Sequence, residues 1–243
     1  LTFASTFTII HFAMTPDRYS NFATLSRDQR AGLDFAVRVR RGSSGIAVLA
    51  PHGGRIEPGT SEIARALAGG DHTLYEFAGL KPAGNFALHL RSERFDEPRA
   101  LEVIAGSRFL IVVHGCTGTE EILQVGGSFP FKQELIQTLT GFDWAVEKHP
   151  RFRGHHPNNL CNRLGPGRGL QLEVSAALRR RLTRDGTSAA PGTDRSGSLA
   201  DLAAAVNGCL GRAPRANPWC RLPALCIHEG HQEHEGNGPG KFL

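Results

Sequence analysis

Short apolar runs that stop abruptly at polar, glycine-bearing loops dominate the patterning of the chain. Ile46–Ala50 has the length and branched residues of a buried strand, and Pro51 ends it. Phe109–Val113 is a second such run, and Leu170–Val174 a third, with Glu173 inside LQLEVS. LYEFAG (Leu74 to Gly79) and NFALHL (Asn85 to Leu90) also read as strands, joined by a Lys-Pro turn. Residues 15–40 read as a helix, a turn at Gly32 and an edge strand. In SEIARALAG, Ile63, Ala64 and Leu67 share one helical face, with Thr60 or Gly59 as cap and Gly69 as stop. Asp96 with Pro98 opens a helix that Gly106 ends, Pro130 opens FKQELIQTLTG, and Ser175 caps AALRRRL. Strands alternating with helices predict an α/β fold, a mixed, mostly parallel sheet with helices on both faces.

Beyond that alternation the pattern fades. Residues 184–197 have linker composition, and Ser198 with Asp201 forms a capping pair for a last helix, LADLAAAVNG. The expected organisation is an N-terminal extension over residues 1–13, one globular domain over 14–210, and a disordered tail over 211–243. Residues 1–13 are apolar but have no basic start, and they precede the only methionine, Met14, which is expected to be the natural start.

Composition narrows the setting. Five cysteines, an odd number at irregular spacing, argue against a disulfide framework and for a reducing, cytoplasmic location, with secretion as the lesser alternative. No apolar run reaches the roughly 18 residues of a membrane span. The net charge of +5 raises nucleic-acid binding, but aromatic residues are not interleaved with the basic ones and no such motif is present. A positive rim for a polyanionic substrate explains the same charge, and a monomer is expected.

Three strand ends bring histidine and carboxylate side chains: His52 and Glu57 in APHGGRIEPGTSE, His114 after Phe109–Val113, and Glu173 in the third run. This is the donor set of a zinc ion with an open coordination position, and a spare glutamate beside it can act as general base. The residues alone therefore point to a mononuclear zinc hydrolase.

The motifs DRYSNFATL, APHGGRIEPGTSEIARALAG, LYEFAG, NFALHLRSERFDEPRAL, VVHG and NNLCNR…GLQLEVS occur in this order between residues 15 and 183. In them the chain resembles the poly-gamma-glutamate hydrolase family, also labelled phage-related replication proteins. The resemblance implies a zinc-dependent amidohydrolase with a fold similar to zinc metallocarboxypeptidases. It implies His52, Glu57 and His114 as Zn2+ ligands, Glu173 as general base, and Asn162 with Arg163 as substrate-binding residues, Arg163 also polarising the carbonyl. The implied substrate contains glutamate, in γ-linked amides. Two other readings compete: a zinc deacylase of small N-acyl amino acids, and a non-enzymatic prophage replication or nucleic-acid-binding protein.

Other candidates rank lower. Glu62 and Asp96 could orient ligands but read first as helix-start carboxylates. His89 reads as a core or ligand-supporting residue in its strand, and Arg179 to Arg181 as a solvated helix face. Cys116 reads as a bystander thiol. Cys220, Cys226, His228, His231 and His234 lack the paired spacing of a zinc site.

Overall fold

A computed structural model of the chain describes residues 16–148, 156–184 and 197–211. Within them lie seven strands: β1 (Phe35–Arg40), β2 (Ile46–Gly54), β3 (Thr73–Gly79), β4 (Phe109–Cys116), β5 (Ile122–Gly127), β6 (Ala145–Lys148) and β7 (Gly169–Ser175). The helices are α1 (Phe22–Asp28), α2 (Thr60–Ala68), α3 (Pro98–Ala105), α4 (Lys132–Leu139), α5 (Ala176–Thr183) and α6 (Leu199–Gly211). One sheet holds all seven strands in the order β1-β3-β2-β4-β7-β5-β6. Pairing is parallel except for β1 with β3 and β5 with β7, so the sheet is mixed and mostly parallel.

Alternation along the strands builds a core on each face. Val48, Ala50, Ile111, Val113, Leu170, Leu172 and Val174 pack with α2, α4, α5 and α6. Ala47, Leu49, Leu110 and Val112 pack with α1, α3 and the rings of Tyr75, Phe77 and Phe95. His114 continues the second set and Glu173 stands opposite it in register, so both belong to the α1/α3 side of the sheet. The chain runs from β2 out to β3 and then back across to β4. Strand order reverses at β2, and the ends of β2 and β4 flank the crevice where α/β proteins hold ligands.

Local chemistry differs from the sequence reading at several points. Asn85 to Leu90 is no strand: Asn85–Leu88 is a 3-10 turn entered through Gly84 at φ 69°. A three-residue period buries Asn85 and Leu88 together and stacks Phe86 on His89, which alternation could not do. Asp96 does not cap α3; its Oδ1 accepts the Phe22 N–H at 2.6 Å, at the start of α1. Glu97 caps α3, accepting the Ala100 N–H at 2.9 Å and the Tyr75 hydroxyl at 2.8 Å. β5 and β6 were absent from the sequence reading. The Ser198–Asp201 pair forms as expected, with reciprocal bonds of 2.8 and 3.2 Å. No described helix is long and apolar enough to cross a membrane. Residues 1–13 and the histidines and cysteines after Gly211 lie outside the described residues.

Candidate metal centre

β2 carries His52 to the crevice on a buried run, then breaks register between Ala50 and Gly53. Pairing with β3 resumes at Gly53 and Gly54, and the chain turns at Gly54, whose φ of 61° suits glycine. A Cβ there would also lie 2.6 Å from the Gly79 carbonyl. The loop wraps back on itself: Glu57 N–H donates to the His52 carbonyl at 2.9 Å, and the Thr60 hydroxyl bonds to the carbonyls of His52 and Glu57 at 3.1 and 2.8 Å. Glu57 is thereby folded over His52. Its Oε2 accepts the Gly115 N–H at 2.7 Å, tying the loop to the end of β4.

Three donor atoms meet as a result. Glu57 Oε1 is 3.1 Å from His52 Nδ1, and His114 Nδ1 is 3.2 Å from the same nitrogen. His52 Nε2 donates to the Leu90 carbonyl at 2.8 Å. A neutral His52 therefore carries its proton on Nε2 and presents a bare lone pair at Nδ1. A carboxylate oxygen and two ring nitrogens then converge, buried, where only a shared cation or proton satisfies them all. The residues fit a metal ion bound by two imidazoles and a carboxylate.

The electrostatics say the same. Burial would raise the Glu57 carboxyl, but the charge and hydrogen bond of His52, then His114 and His89, hold it down at about 2. Burial would lower His52, yet Glu57 and the Leu90 carbonyl together raise it above its ordinary value. His114 is pushed down to about 3 by burial and by the charge of His52. Glu173 is pushed up to about 8, first by burial and then by the charge of Glu57. A carboxyl that binds and releases a proton near neutral pH stands beside the three donors.

His89 closes one side. Its ring lies 4.0 Å from that of His52, its Nδ1 donates to Asp17 Oδ1 at 2.8 Å, and its Nε2 is 3.8 Å from Glu57 Oε1. His89 stands at the end of a turn rather than in the expected strand. Asp17 was missed; only its partner in space marks it.

Arg179 corrects the solvated-face reading of α5. It is buried, its Nε donating to the Pro58 carbonyl at 2.7 Å and its Nη1 to the carbonyls of Cys116, at 3.1 Å, and Val174. One guanidinium thus joins the Glu57 loop to the ends of β4 and β7. A side chain at Gly115 would collide with it, which explains the glycine after His114. Helical spacing could have found Arg179, since it shares the buried face of Leu178 and Leu182. Arg181 is held at the surface by Glu121 and Asp143.

Glu62 and Asp96 touch no donor atom; Glu62 lies near Arg65, and Asp96 serves α1. Asn162 and Arg163 end a 3-10 turn, Leu160–Asn162, and bond to the carbonyls of His156 and Asn158. Neither bonds to the triad in the described structure. The Cys116 thiol is pushed up to about 11, chiefly by burial, and stays neutral, in keeping with the bystander reading.

Fold and site define an α/β protein in which two histidines and a glutamate, buried together at a sheet switch point, are placed so that they could hold a metal ion. Residues 19–201 match the poly-gamma-glutamate hydrolase family, and the chain belongs to that family. It is similar to UPF0714 protein YndL of Bacillus subtilis (strain 168), 37% identical over 181 residues, 72% of this chain and 71% of that protein. A bacteriophage poly-gamma-glutamate hydrolase structure superposes with a TM-score of 0.70 at 30% identity, covering 81% of this chain and 97% of its own. The zinc-free apo form of YndL gives 0.70 at 31%, covering 82% and 100%.

Proposed function

We propose that the protein is a zinc-dependent hydrolase that cleaves the amide bonds of γ-linked glutamate polymers. The observation that carries this is the buried convergence of His52 Nδ1, Glu57 Oε1 and His114 Nδ1 in a chain of this family. The zinc-free form of YndL and the bacteriophage hydrolase support the choice of metal and substrate.

Zinc, held by His52, Glu57 and His114, would supply a Lewis acid that lowers the pKa of water and polarises a carbonyl. The chain does the rest. Glu173 takes a proton from the attacking water as its oxygen bonds to the amide carbon. As the carbon–nitrogen bond breaks, Glu173 passes that proton to the leaving amine. The second water proton leaves with the products, which at neutral pH are a carboxylate and an ammonium. Arg163, half-buried on its turn, forks onto a substrate carboxylate, and Asn162 beside it adds a polar contact. The net charge of +5 favours a polyanion.

The test measures zinc content and cleavage of a γ-linked glutamate polymer in the wild type, His52→Ala and His114→Ala. About one zinc per chain, lost together with cleavage in both variants, is expected for a mononuclear site. Absence of zinc uptake sinks the proposal. Salt-sensitive DNA binding unaffected by His52→Ala would favour the replication-protein reading, and turnover of small N-acyl amino acids alone would favour the deacylase.

A further inference from the structure

A line of buried polar side chains leads to Glu173, and the chemistry above leaves it unused. Ser92 Oγ donates to Asn159 Oδ1 at 3.0 Å, Asn159 Nδ2 to Gln171 Oε1 at 2.9 Å, and Gln171 Nε2 to Glu173 Oε1 at 2.9 Å. All four residues are buried. They come from distant parts of the chain: the loop before α3, the turn before Leu160–Asn162, and β7. Gln171 and Glu173, two apart on one strand, share a face of the sheet, as the strand period requires.

The direction of this line is set at its far end. The Cys161 backbone N–H, which can only donate, meets Asn159 Oδ1 at 3.1 Å. The Leu160 N–H likewise meets Ser92 Oγ at 3.3 Å and leaves the hydroxyl proton for Asn159. Asn159 must then turn its amide nitrogen to Gln171, and Gln171 must turn its own to Glu173. Neither amide can flip without facing oxygen to oxygen or donor to donor, which is costly when buried. Glu173 Oε1 therefore always meets a donor. A proton on Oε1 would face that N–H, so the proton belongs on Oε2, which bonds to none of the described residues.

We propose that Asn159 and Gln171 are positioning residues that leave Glu173 a single working oxygen. Oε1 is locked as an acceptor, while Oε2 receives the proton of the attacking water and releases it to the leaving amine. The inference rests on Glu173 as the proton carrier of the proposed hydrolase and explains why a costly polar line is buried beside it.

The experiment uses the zinc-loaded full chain with Gln171→Met and, separately, Asn159→Asp. The aspartate keeps the Ser92 and Cys161 bonds but turns an oxygen toward Gln171, so the Gln171 amide must rotate. Each variant is expected to bind zinc as the wild type does and to lose kcat at least about tenfold, with KM within about twofold. In a Glu173→Gln background the same changes should cost nothing more, because their effect passes through Glu173. Losses that multiply in the double variants, or that fall on KM, would overturn the inference. Crystal structures supply an arm that does not depend on turnover. Glu173 should hold one carboxylate orientation in the wild type and rotate in Gln171→Met, and an unmoved carboxylate overturns the inference. Asn159→Asp, nearly isosteric, keeps both arms open where Gln171→Met fails to fold. A wild type that cleaves no γ-glutamyl bond counts against the proposed function, while the crystallographic arm still decides the inference.

Discussion

The Leu90 carbonyl holds the Nε2–H of His52 at 2.8 Å, and that bond decides which nitrogen of His52 is left to face Glu57 and His114. With Nε2 occupied, that nitrogen is Nδ1. The backbone after a 3-10 turn thus sets the tautomer of His52 in β2, thirty-eight positions earlier in the chain.

Zinc uptake should release a proton near neutral pH. His52 is raised above its ordinary value when no metal is present, and only its neutral form offers Nδ1 to a cation. Affinity should therefore rise with pH through the His52 titration and level off above it. Calorimetry in buffers of different ionisation enthalpy measures the proton directly. Uptake without proton release at pH 6 would contradict this.

The metal-free protein should lose stability as pH rises from about 6.5 toward 8, because between about 4.5 and 6.5 His114, pushed down to about 3, offsets Glu173. Glu173 has a folded-state value of about 8 against an ordinary 4.5, so its contribution is fully present below 4.5 and is lost as pH climbs. Glu57 runs the other way: depressed to about 2, it stabilises above 4.5 and loses that contribution as pH falls. Urea unfolding of metal-stripped wild type and Glu173→Gln across this range checks the first effect. The variant should flatten the decline, and an unchanged slope would exclude Glu173 as its source.

Arg179→Met should destabilise the fold by about 1–3 kcal/mol, because one buried and two part-buried carbonyls lose their donor at once. Gly115→Ala should cost about 1–3 kcal/mol by forcing the guanidinium aside. Both should also weaken zinc binding, since Pro58, Cys116 and Val174 adjoin Glu57, His114 and Glu173. Denaturant midpoints and competitive zinc titration report the two effects. A wild-type midpoint in Arg179→Met would show that the guanidinium does not hold these strand ends.

His89→Ala should retain zinc at wild-type stoichiometry, yet weaken affinity about tenfold, the usual effect of removing a side chain that supports a ligand. Asp17→Asn should produce a smaller change in the same direction by freeing the His89 ring. Complete loss of zinc in His89→Ala would make it a ligand itself.

Arg163→Lys should raise KM about tenfold or more for a γ-glutamyl substrate with kcat little changed, as expected when a bidentate grip is replaced by a point charge. Equal loss in kcat and kcat/KM would instead place Arg163 on the reacting carbonyl.

Runs such as Ile46–Ala50 and Phe109–Val113 were readable because a buried parallel strand is apolar on both faces and its ends are marked by glycine, proline and polar residues. His52, Glu57, His114 and Glu173 stood out for the same reason: each interrupts or follows such a run. β5, with its shorter alternation, and the four-residue β6 left too weak a pattern to be seen in sequence. Asn85 to Leu90 misled because its apolar residues fit a period of two as well as the period of three it adopts.

Local pattern alone determined the α/β class and the residue types at the strand ends, since periodicity and turn chemistry act between near neighbours. Which nitrogen of His52 faces Glu57 and His114, which arginine of three is buried, and which oxygen of Glu173 is tied down were decided only by tertiary structure. Each depends on a hydrogen-bond partner from another segment: Leu90 for His52, Pro58 and Cys116 for Arg179, and Asn159 acting through Gln171 for Glu173. Buried polar groups must find such partners wherever the folded chain supplies them, and sequence spacing carries no record of where that is.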